Sequence, residues 1–407
     1  MRKRIKIALA ALILVSLVIA LRLLPPEPSF QGKPVSFWLQ QKAAGTGEWQ
    51  EITNALYQIG PRAVPYIVNR LKRDNSWLAD HYRETWPRLP GFLRGTLPRP
   101  QENPFTEVVA VNAYQNIGPG VIPSLTKLLK DDRAIVRSSA AWALGSFRQS
   151  GQGDTVKIDS LIRALSDPDA LVRLNAARAL GKFGSEANAA IEPLIARLKD
   201  DDKGDLNRGI GMVGVRATAA RALGKIGPNA KAAAPTLLIL ANDPHAYTGM
   251  EAAIALWRIA SNSSVALPLL IDYSSKVGDD SKWEIFEAFA EMGPAAKDAV
   301  PTLTADLNSQ RAVVRQRAAE ALWKIDPTQA AIIVDAVIAP MNNPNPRTGN
   351  FLSVVEGARL LGEMGQDARS AIPTLTKLIK DSDPEKRSAA AKALAQIDPD
   401  AVSAESK

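Results

Sequence analysis

A pattern of two helical segments recurs along this chain at a step close to 33 residues, and it constrains the fold more than any other feature. It is clearest at residues 215–241, VRATAARALGKIGPNAKAAAPTLLILA, where an amphipathic segment ends at Gly227 and a second apolar run starts at Pro235. Neither segment can bury its apolar side alone, so each unit must stack on its neighbours. The pattern predicts an all-α fold, an α-solenoid of about ten two-helix repeats. The residues that align with Leu223 are Leu56, Tyr114, Leu144, Leu180, Leu256, Phe289, Leu322, Leu361 and Leu394.

Alanines, glycines and prolines mark the parts of each unit. Alanines recur at helical spacing in residues 172–180 (VRLNAARAL), and alanine allows helix axes to approach closely. A left-handed glycine is expected just after the first helix, and a proline is expected to open the second. The glycines are Gly184, Gly227, Gly293 and Gly365, and the prolines are Pro123, Pro193, Pro235, Pro268, Pro301 and Pro373. Three Asp-Pro pairs predict the N-cap and first residue of the next first helix: Asp167-Pro168, Asp243-Pro244 and Asp383-Pro384.

These repeats resemble the HEAT-repeat family, including the HEAT-like repeats of phycobilisome lyases. The resemblance covers roughly residues 50–398. The residues that carry it best are Val172, Arg173, Ala176, Ala177, Ala179, Leu180 and Gly181, with Pro193 in the partner helix. It implies a right-handed α-solenoid. Because HEAT arrays mostly serve as scaffolds for unrelated partners, it implies protein binding and no particular chemistry.

The N-terminus predicts a membrane segment before the array. Four basic residues within positions 2–6 precede an apolar run at 7–21, and residues 1–24 are therefore expected to be a signal anchor or a cleaved signal peptide, with the anchor favoured. The positive N-terminus predicts that the array lies outside the cytoplasm. The expected location is membrane-anchored and extracytoplasmic, in a bacterial periplasm, or secreted if the segment is cleaved.

The remaining boundaries follow from composition and from breaks in the period. Residues 25–33 are expected to be a proline-rich linker, residues 34–398 the HEAT-repeat solenoid, and residues 399–407 a disordered tail. Insertions are predicted at residues 74–104, 200–214 and 341–350, each after a second helix and before the next first helix.

The charge balance argues against nucleic acid as a partner. The formal net charge is +8, but five of the positive residues lie in the N-terminal segment. The remainder has 45 basic and 42 acidic residues, and so lacks the excess of cations that phosphate binding needs. The expected partner is a protein, with the membrane contacted through the N-terminal segment.

No pattern of reactive or metal-ligating residues stands out. The only two histidines, His81 and His245, are not followed by glutamate, unlike the His-Glu iron ligands of a HEAT-like hydroxylase, and there is no cysteine. We therefore predict a non-enzymatic scaffold without catalytic residues, cofactor or metal. Two alternatives remain: a HEAT-like enzyme or enzyme subunit, either bilin-lyase-like or metal-dependent, and a structural envelope protein.

The first candidate for partner binding is the insertion at residues 74–104. It combines aromatic and arginine residues, which are enriched at the centres of protein interfaces. The candidates are Trp77, Trp86, Arg88 and Arg94. The alternative is a local helix whose aromatic residues pack on the array while its arginines are solvated.

The second candidate lies on the second helices. The third and fourth residues after the opening proline are expected to point outward, and in the middle of the array they are apolar: Leu238, Ile239 and Ile271. Corresponding positions elsewhere are polar or basic, including Lys127, Arg197 and Lys377, which could attract the acidic flanks of a partner. The same reasoning places Val337 and Ile338 outward. The alternative is that second helices need a wide apolar face to pack on one another.

Overall fold

The computed structural model describes residues 27–100, 105–147, 154–200, 214–309, 311–342 and 350–399. Apart from one short hairpin, the regular secondary structure of these residues is helical. Its strands are β1 (Ser29–Phe30) and β2 (Lys33–Pro34), which pair antiparallel. The helices of the N-terminal half are α1 (Val35–Ala44), α2 (Trp49–Ile59), α3 (Val64–Asp74), α4 (Trp77–Thr85), α5 (Gly91–Thr96), α6 (Glu107–Ile117), α7 (Ile122–Leu128), α8 (Ala134–Leu144), α9 (Asp154–Ala164), α10 (Ala170–Phe183) and α11 (Ile191–Arg197). Those of the C-terminal half are α12 (Val215–Ile226), α13 (Ala234–Leu240), α14 (Ala246–Ala260), α15 (Ser263–Lys276), α16 (Asp279–Met292), α17 (Val300–Asp306), α18 (Ala312–Ile325), α19 (Ala330–Asn342), α20 (Asn350–Met364), α21 (Ile372–Leu378) and α22 (Pro384–Ile397).

The chain divides into two compact units, Met1–Ala179 and Leu180–Lys407. In the first unit the predicted pairs are α2 with α3, α6 with α7 and α8 with α9. In the second unit α12 to α21 form five further pairs, and α22 follows as a first helix. The all-α architecture of repeated helix pairs is confirmed. Most of the predicted insertions at 200–214 and 341–350, and nearly all of the tail at 399–407, lie outside the described residues.

First helices of neighbouring repeats approach closely through small residues. In the second unit a Cβ atom built on Gly224 would lie 3.0 Å from the Cα atom of Ala255, and one on Gly181 would lie 3.0 Å from that of Ala222. At such a distance there is no room for a side chain on the glycine. The aligned residues that anchor the repeats are all buried, as predicted: Leu56, Tyr114, Leu144, Leu180, Leu223, Leu256, Phe289, Leu322, Leu361 and Leu394.

The turn between the two helices of a repeat follows the glycine and proline pattern. Gly227 has a φ of 82°, a 3-10 turn spans Pro228–Ala233, and Pro235 is the second residue of α13, where its missing N–H costs no helical hydrogen bond. Pro268 departs from the prediction. It lies inside α15, which begins five residues earlier at Ser263.

The Asp-Pro pairs were predicted correctly at one of three sites. Asp383 caps α22, its carboxylate accepting from the backbone N–H of Glu385. The predictions for Asp167 and Asp243 are wrong because α10 and α14 begin later. There the carboxylate accepts from the N–H two residues on, at Asp169 and His245, before the helix starts. The same carboxylates also bind arginines, Arg137 at 2.7 and 2.9 Å and Arg216 at 2.5 Å.

A buried polar cluster joins three repeats of the first unit. Oε1 of Glu107 on α6 accepts from the Ser138 hydroxyl at 2.6 Å and from the Asn175 amide at 3.2 Å. The same amide donates to the Ser138 hydroxyl at 2.8 Å. Ser138 and Asn175 are fully buried, so these hydrogen bonds satisfy groups that would otherwise be costly to bury.

A related cluster in the second unit holds two carboxylates around one arginine. Arg221 on α12 donates to Glu251 on α14 and, at 2.6 and 2.7 Å, to both carboxylate oxygens of Glu284 on α16. The Tyr247 hydroxyl also contacts this guanidinium. Burial, and then the neighbouring Glu251 carboxylate, raise the pKa of Glu284 to about 8. Because one arginine cannot neutralise both carboxylates, the pair retains a proton well above the ordinary pKa of a glutamate.

The N-terminal helix and hairpin cap the array. Val35, Trp38 and Leu39 on α1 are buried, as expected for one apolar face. The hairpin of β1 and β2 lies where a linker was predicted. Lys42 on α1 is also buried, with Nζ 3.9 Å from the centroid of the Trp49 ring, and burial lowers its pKa to about 8.

The insertion leaves and rejoins the array at one point. The Asn75 side-chain amide donates to the carbonyl of Phe105 at 2.8 Å, and the buried Asp74 carboxylate accepts from the Phe105 N–H at 3.1 Å. Between these two ends, α4, a 3-10 turn (Trp86–Arg88) and α5 contain no buried residue. The insertion is therefore a peripheral segment whose two ends are joined to each other by hydrogen bonds.

The prediction of a membrane-anchored, extracytoplasmic protein has to be corrected. In the part of the chain that the structure describes, no helix is both long enough and apolar enough to cross a bilayer. The segment on which the prediction was based, residues 1–24, lies outside the described residues.

Leu223→Ala tests the assignment of the repeats. Leu223 is fully buried on α12, so the truncation leaves a cavity and should lower the free energy of unfolding of the second unit by about 2–5 kcal/mol. Urea denaturation followed by circular dichroism measures the change. Ile239→Ala is the matched control, since Ile239 is 78% exposed. A loss below about 0.5 kcal/mol for Leu223→Ala, the range of surface substitutions, would show that the repeats are wrongly aligned.

Deletion of residues 77–100 tests whether the insertion is separable. Ser76 and residues 101–104 then connect ends that already hydrogen-bond, so the free energy of unfolding should change by no more than about 1 kcal/mol. Circular dichroism and thermal unfolding provide the measurement. Loss of cooperative unfolding would show instead that the inserted residues are needed for packing.

Glu284→Gln tests the shared proton in the second unit. The folded-state pKa of Glu284, about 8, lies above its ordinary value of 4.5, so between these pH values the folded state binds more protons than the unfolded state. The stability of the second unit should therefore fall as the pH rises from about 5 to about 8, and the variant should weaken this dependence. Glu287→Gln, at an exposed carboxylate on the same helix, is the control. Equal pH dependence in wild type and Glu284→Gln would contradict the assignment.

Candidate interaction surfaces

The second-helix surface is formed by Leu238 and Ile239, two apolar residues that α13 presents to solvent. Leu238 is 46% exposed and Ile239 is 78% exposed, whereas their neighbours Leu237 and Leu240 are buried and pack α13 into the repeat. The helix therefore fulfils its packing role without these two side chains. The alternative in which they belong to the core does not fit their exposure.

Corresponding positions on two other second helices of the same unit, α17 and α21, are polar or small. In α17 they are Thr304 and Ala305, and the Thr304 hydroxyl donates to the carbonyl of Val300 at 2.9 Å within its own helix. In α21 they are Thr376 and the exposed Lys377. The same site of the repeat thus tolerates polar residues, and α13 differs from these helices by presenting apolar ones.

The remaining predictions for the second helices are met in part. Ile271 on α15 is half-buried, so it is partly turned into the repeat. Ile338 is also half-buried, but Val337 is buried at 7% exposure, and the prediction that it points outward is wrong. Its helix α19 lacks the opening proline on which the alignment depended. Arg197 is half-buried and pairs with Asp200 at 3.3 Å, whereas Lys127 and Lys377 are exposed.

The insertion surface is formed by the exposed side chains of α4, α5 and their connection. Trp77 is 73% exposed and Phe92 is 74% exposed. Leu78, beside Trp77, is 70% exposed and was not among the predicted contact residues. Trp86 is half-buried, while Arg88 and Arg94 are exposed. Trp77 and Phe92 are thus exposed to solvent and not covered by the array.

Contacts within the insertion hold these side chains in place. The Trp77 ring stacks on His81, with centroids 5.3 Å apart and planes 8° apart, and Tyr82 meets Trp86 edge-on at 5.6 Å. The Tyr82 hydroxyl donates to the carbonyl of Pro98 at 2.5 Å and so ties α4 to the segment after α5. Arg83 donates to the carbonyl of Asp74 at 2.9 Å and fixes α4 against the end of α3.

A cavity of about 250 Å³ lies between α16 and α18 in the second unit. Its lining includes Trp283 together with acidic and basic side chains. Two of the carboxylates form ion pairs, Glu291 with Arg258 at 2.8 Å and Glu320 with Arg317 at 2.7 Å. Its charges are largely balanced by these ion pairs. Among the described residues, no group of three or more histidine, aspartate or glutamate side chains is placed to hold a metal ion.

Family models of known repeats match three stretches of the chain. The family model for HEAT repeats matches residues 122–211 and 355–405, and the model for the PBS lyase HEAT-like repeat matches residues 215–243. No curated protein matches the chain.

Several solved structures are similar to parts of the chain. An engineered protein is 22% identical, covers 89% of this chain and 94% of its own length, and has a TM-score of 0.40. The complex of CpcE and CpcF of phycocyanin lyase from Nostoc sp. PCC7120 is 24% identical, with 60% of this chain and 94% of that chain covered and a TM-score of 0.38. Importin beta is 13% identical, with 91% of this chain and 52% of that chain covered and a TM-score of 0.49.

The family matches fall on the residues whose structure shows paired helices, left-handed glycines and buried anchor leucines. They agree with the resemblance found in the sequence at residues 172–181. HEAT and HEAT-like repeats are thus shown at residues 122–211, 215–243 and 355–405.

Proposed function

We propose that this chain is a non-enzymatic scaffold that binds a protein partner through its second-helix surface. The observation that carries the proposal is the exposure of Leu238 and Ile239 at a site of the repeat where α17 and α21 present polar or small residues. Packing does not account for these two side chains, since Leu237 and Leu240 already fill that role. An exposed apolar pair on a second helix supports a contact with another molecule.

The geometry also indicates what kind of contact this would be. Leu238 and Ile239 are consecutive on α13, so their side chains point about 100° apart around the helix and together form a broad apolar spot on its exposed side. A spot of this size suits one or two large apolar side chains of a partner, the usual form of an interface hot spot. The half-buried Ile271 on the next second helix could extend it.

Basic residues on other second helices of the same unit would complement an acidic partner. Arg197 and Lys377 occupy the corresponding site on α11 and α21. Lys377 is exposed, whereas Arg197 is half-buried and paired with Asp200. An exposed charge such as that of Lys377 raises the rate of association more than the final affinity. The apolar pair would therefore supply most of the binding free energy, and the cations would favour partners with acidic flanks.

The double substitution Leu238→Ser and Ile239→Ser tests the proposal. The free energy of unfolding should stay within about 1 kcal/mol of wild type because both side chains are exposed, whereas affinity for the partner should fall by about tenfold or more. Urea denaturation measures the first quantity. Quantitative affinity purification from source cells with the tagged chain measures the second.

The matched control is Thr304→Ser with Ala305→Ser, at the corresponding site of α17. It should retain every protein that wild type retains. Two results would count against the proposal: a loss of several kcal/mol in stability, which would make Leu238 and Ile239 core residues, or an unchanged set of bound proteins. A bound metal or a visible chromophore in the purified chain would favour the enzyme alternative.

A further inference from the structure

The insertion surface presents apolar and cationic side chains together. Within the described residues of the first unit, Trp77, Leu78 and Phe92 are exposed by 70% or more, and Arg88 and Arg94 are exposed close to them in sequence. The described part of the chain contains no ion pair for either of these two arginines. They therefore keep their hydrogen-bonding capacity for a ligand.

Charge along the insertion is uneven. Asp80 and Glu84 are the only carboxylates between residues 77 and 100, and the next one along the chain is Glu102. Arg83 pairs with Asp80 at 2.5 Å, which leaves the half of the insertion after Glu84 cationic. That half also carries Phe92 and Leu97, 74% and 40% exposed. A partner that covers it must supply apolar side chains together with carboxylates.

The surface is also organised before any partner binds. The stacking of Trp77 on His81 holds the Trp77 ring within α4, and the hydrogen bond from Tyr82 to Pro98 ties α4 to the segment after α5. Side chains that are held before binding lose less conformational entropy on binding. A local packing role would not require large aromatic residues to be held in solvent.

We propose that the insertion surface is a second docking site, which binds a protein segment that carries apolar and acidic residues together. The apolar residues of that segment cover Trp77, Leu78 and Phe92, and its carboxylates pair with Arg88 and Arg94. This site is separate from the second-helix surface and takes its own partner segment. This inference rests on the proposed scaffold function only in that both surfaces are proposed to bind protein.

A protein segment fits this surface better than an anionic lipid layer. Asp80 and Glu84 lie three and seven residues after Trp77, so they share its side of α4, and both are exposed. Anionic headgroups would repel these carboxylates at the place where Trp77 would enter the layer. A protein segment can place its own acidic residues at Arg88 and Arg94 and avoid the carboxylates of α4.

A library of random peptides displayed on phage, selected on the full chain, tests the inference. The selected peptides should combine aromatic or aliphatic residues with an excess of aspartate and glutamate. Binding of the corresponding synthetic peptides, followed by fluorescence anisotropy, should weaken by about tenfold or more in Arg88→Glu with Arg94→Glu and in Trp77→Ser with Phe92→Ser. Higher salt should also weaken it, since exposed charges are screened.

Matched controls are Lys130→Glu for the charge reversal and Val156→Ser for the loss of an exposed apolar residue, both outside the insertion. They should leave peptide binding unchanged. Circular dichroism checks that each variant is folded, and because α4 and α5 contain no buried residue, all of them should be.

Three results would overturn the inference: no peptide that depends on the insertion, selected peptides without an acidic excess, or binding to phosphatidylglycerol vesicles that the same variants abolish while peptide binding is absent. Peptides that depend only on Leu238 and Ile239 would refute this inference and support the proposed function. Peptides whose binding depends only on the insertion would support this inference and count against the proposed function.

Discussion

The close approach of first helices in adjacent repeats is the constraint on which the rest of the structure depends. A Cβ atom on Gly145 would lie 2.7 Å from the Cα atom of Ala179 in the first unit, and one on Gly224 would lie 3.0 Å from that of Ala255 in the second. Helices at this separation exclude water between repeats and require small residues at the crossing. The larger residues of the first helices, such as Leu223, are fully buried in the core.

Close packing restricts which residues the first helices can carry. Positions that face away from the first helices can carry more residue types. Polar side chains buried among the first helices can satisfy one another, as Glu107, Ser138 and Asn175 do. Second helices keep one buried row, such as Leu237 and Leu240, and their other residues can vary without loss of packing. Repeat proteins vary such positions to bind different partners while the fold stays constant.

Much of the fold could be predicted from the sequence because the repeat imposes the same physical requirements many times. The glycine at position 227, the proline at 235 and the leucine at 223 each have one structural reason, and each was placed correctly. The misassigned positions lie where a local interaction competes with the pattern. Asp243 binds Arg216 and an N–H before the helix begins, and Val337 lies on a helix without the opening proline.

The candidate surfaces could be predicted less well, since exposure depends on what the neighbouring chain covers. The apolar residues of α13 were identified from comparison of the repeats, but only the structure separates exposed Ile239 from buried Leu240. In the insertion, Trp77 was identified by composition, whereas Leu78 was missed because a single leucine has no distinguishing pattern. The joining of the insertion's ends through Asn75 and Phe105 has no signal in the sequence.

A photoreactive phenylalanine analogue at position 239 tests the central claim, that α13 presents a contact site, most directly. Irradiation in source cells should yield a discrete adduct with one protein. The same analogue at position 305, the corresponding exposed site of α17, should yield no such adduct. Equal labelling at both positions, or no adduct at position 239, would contradict the account.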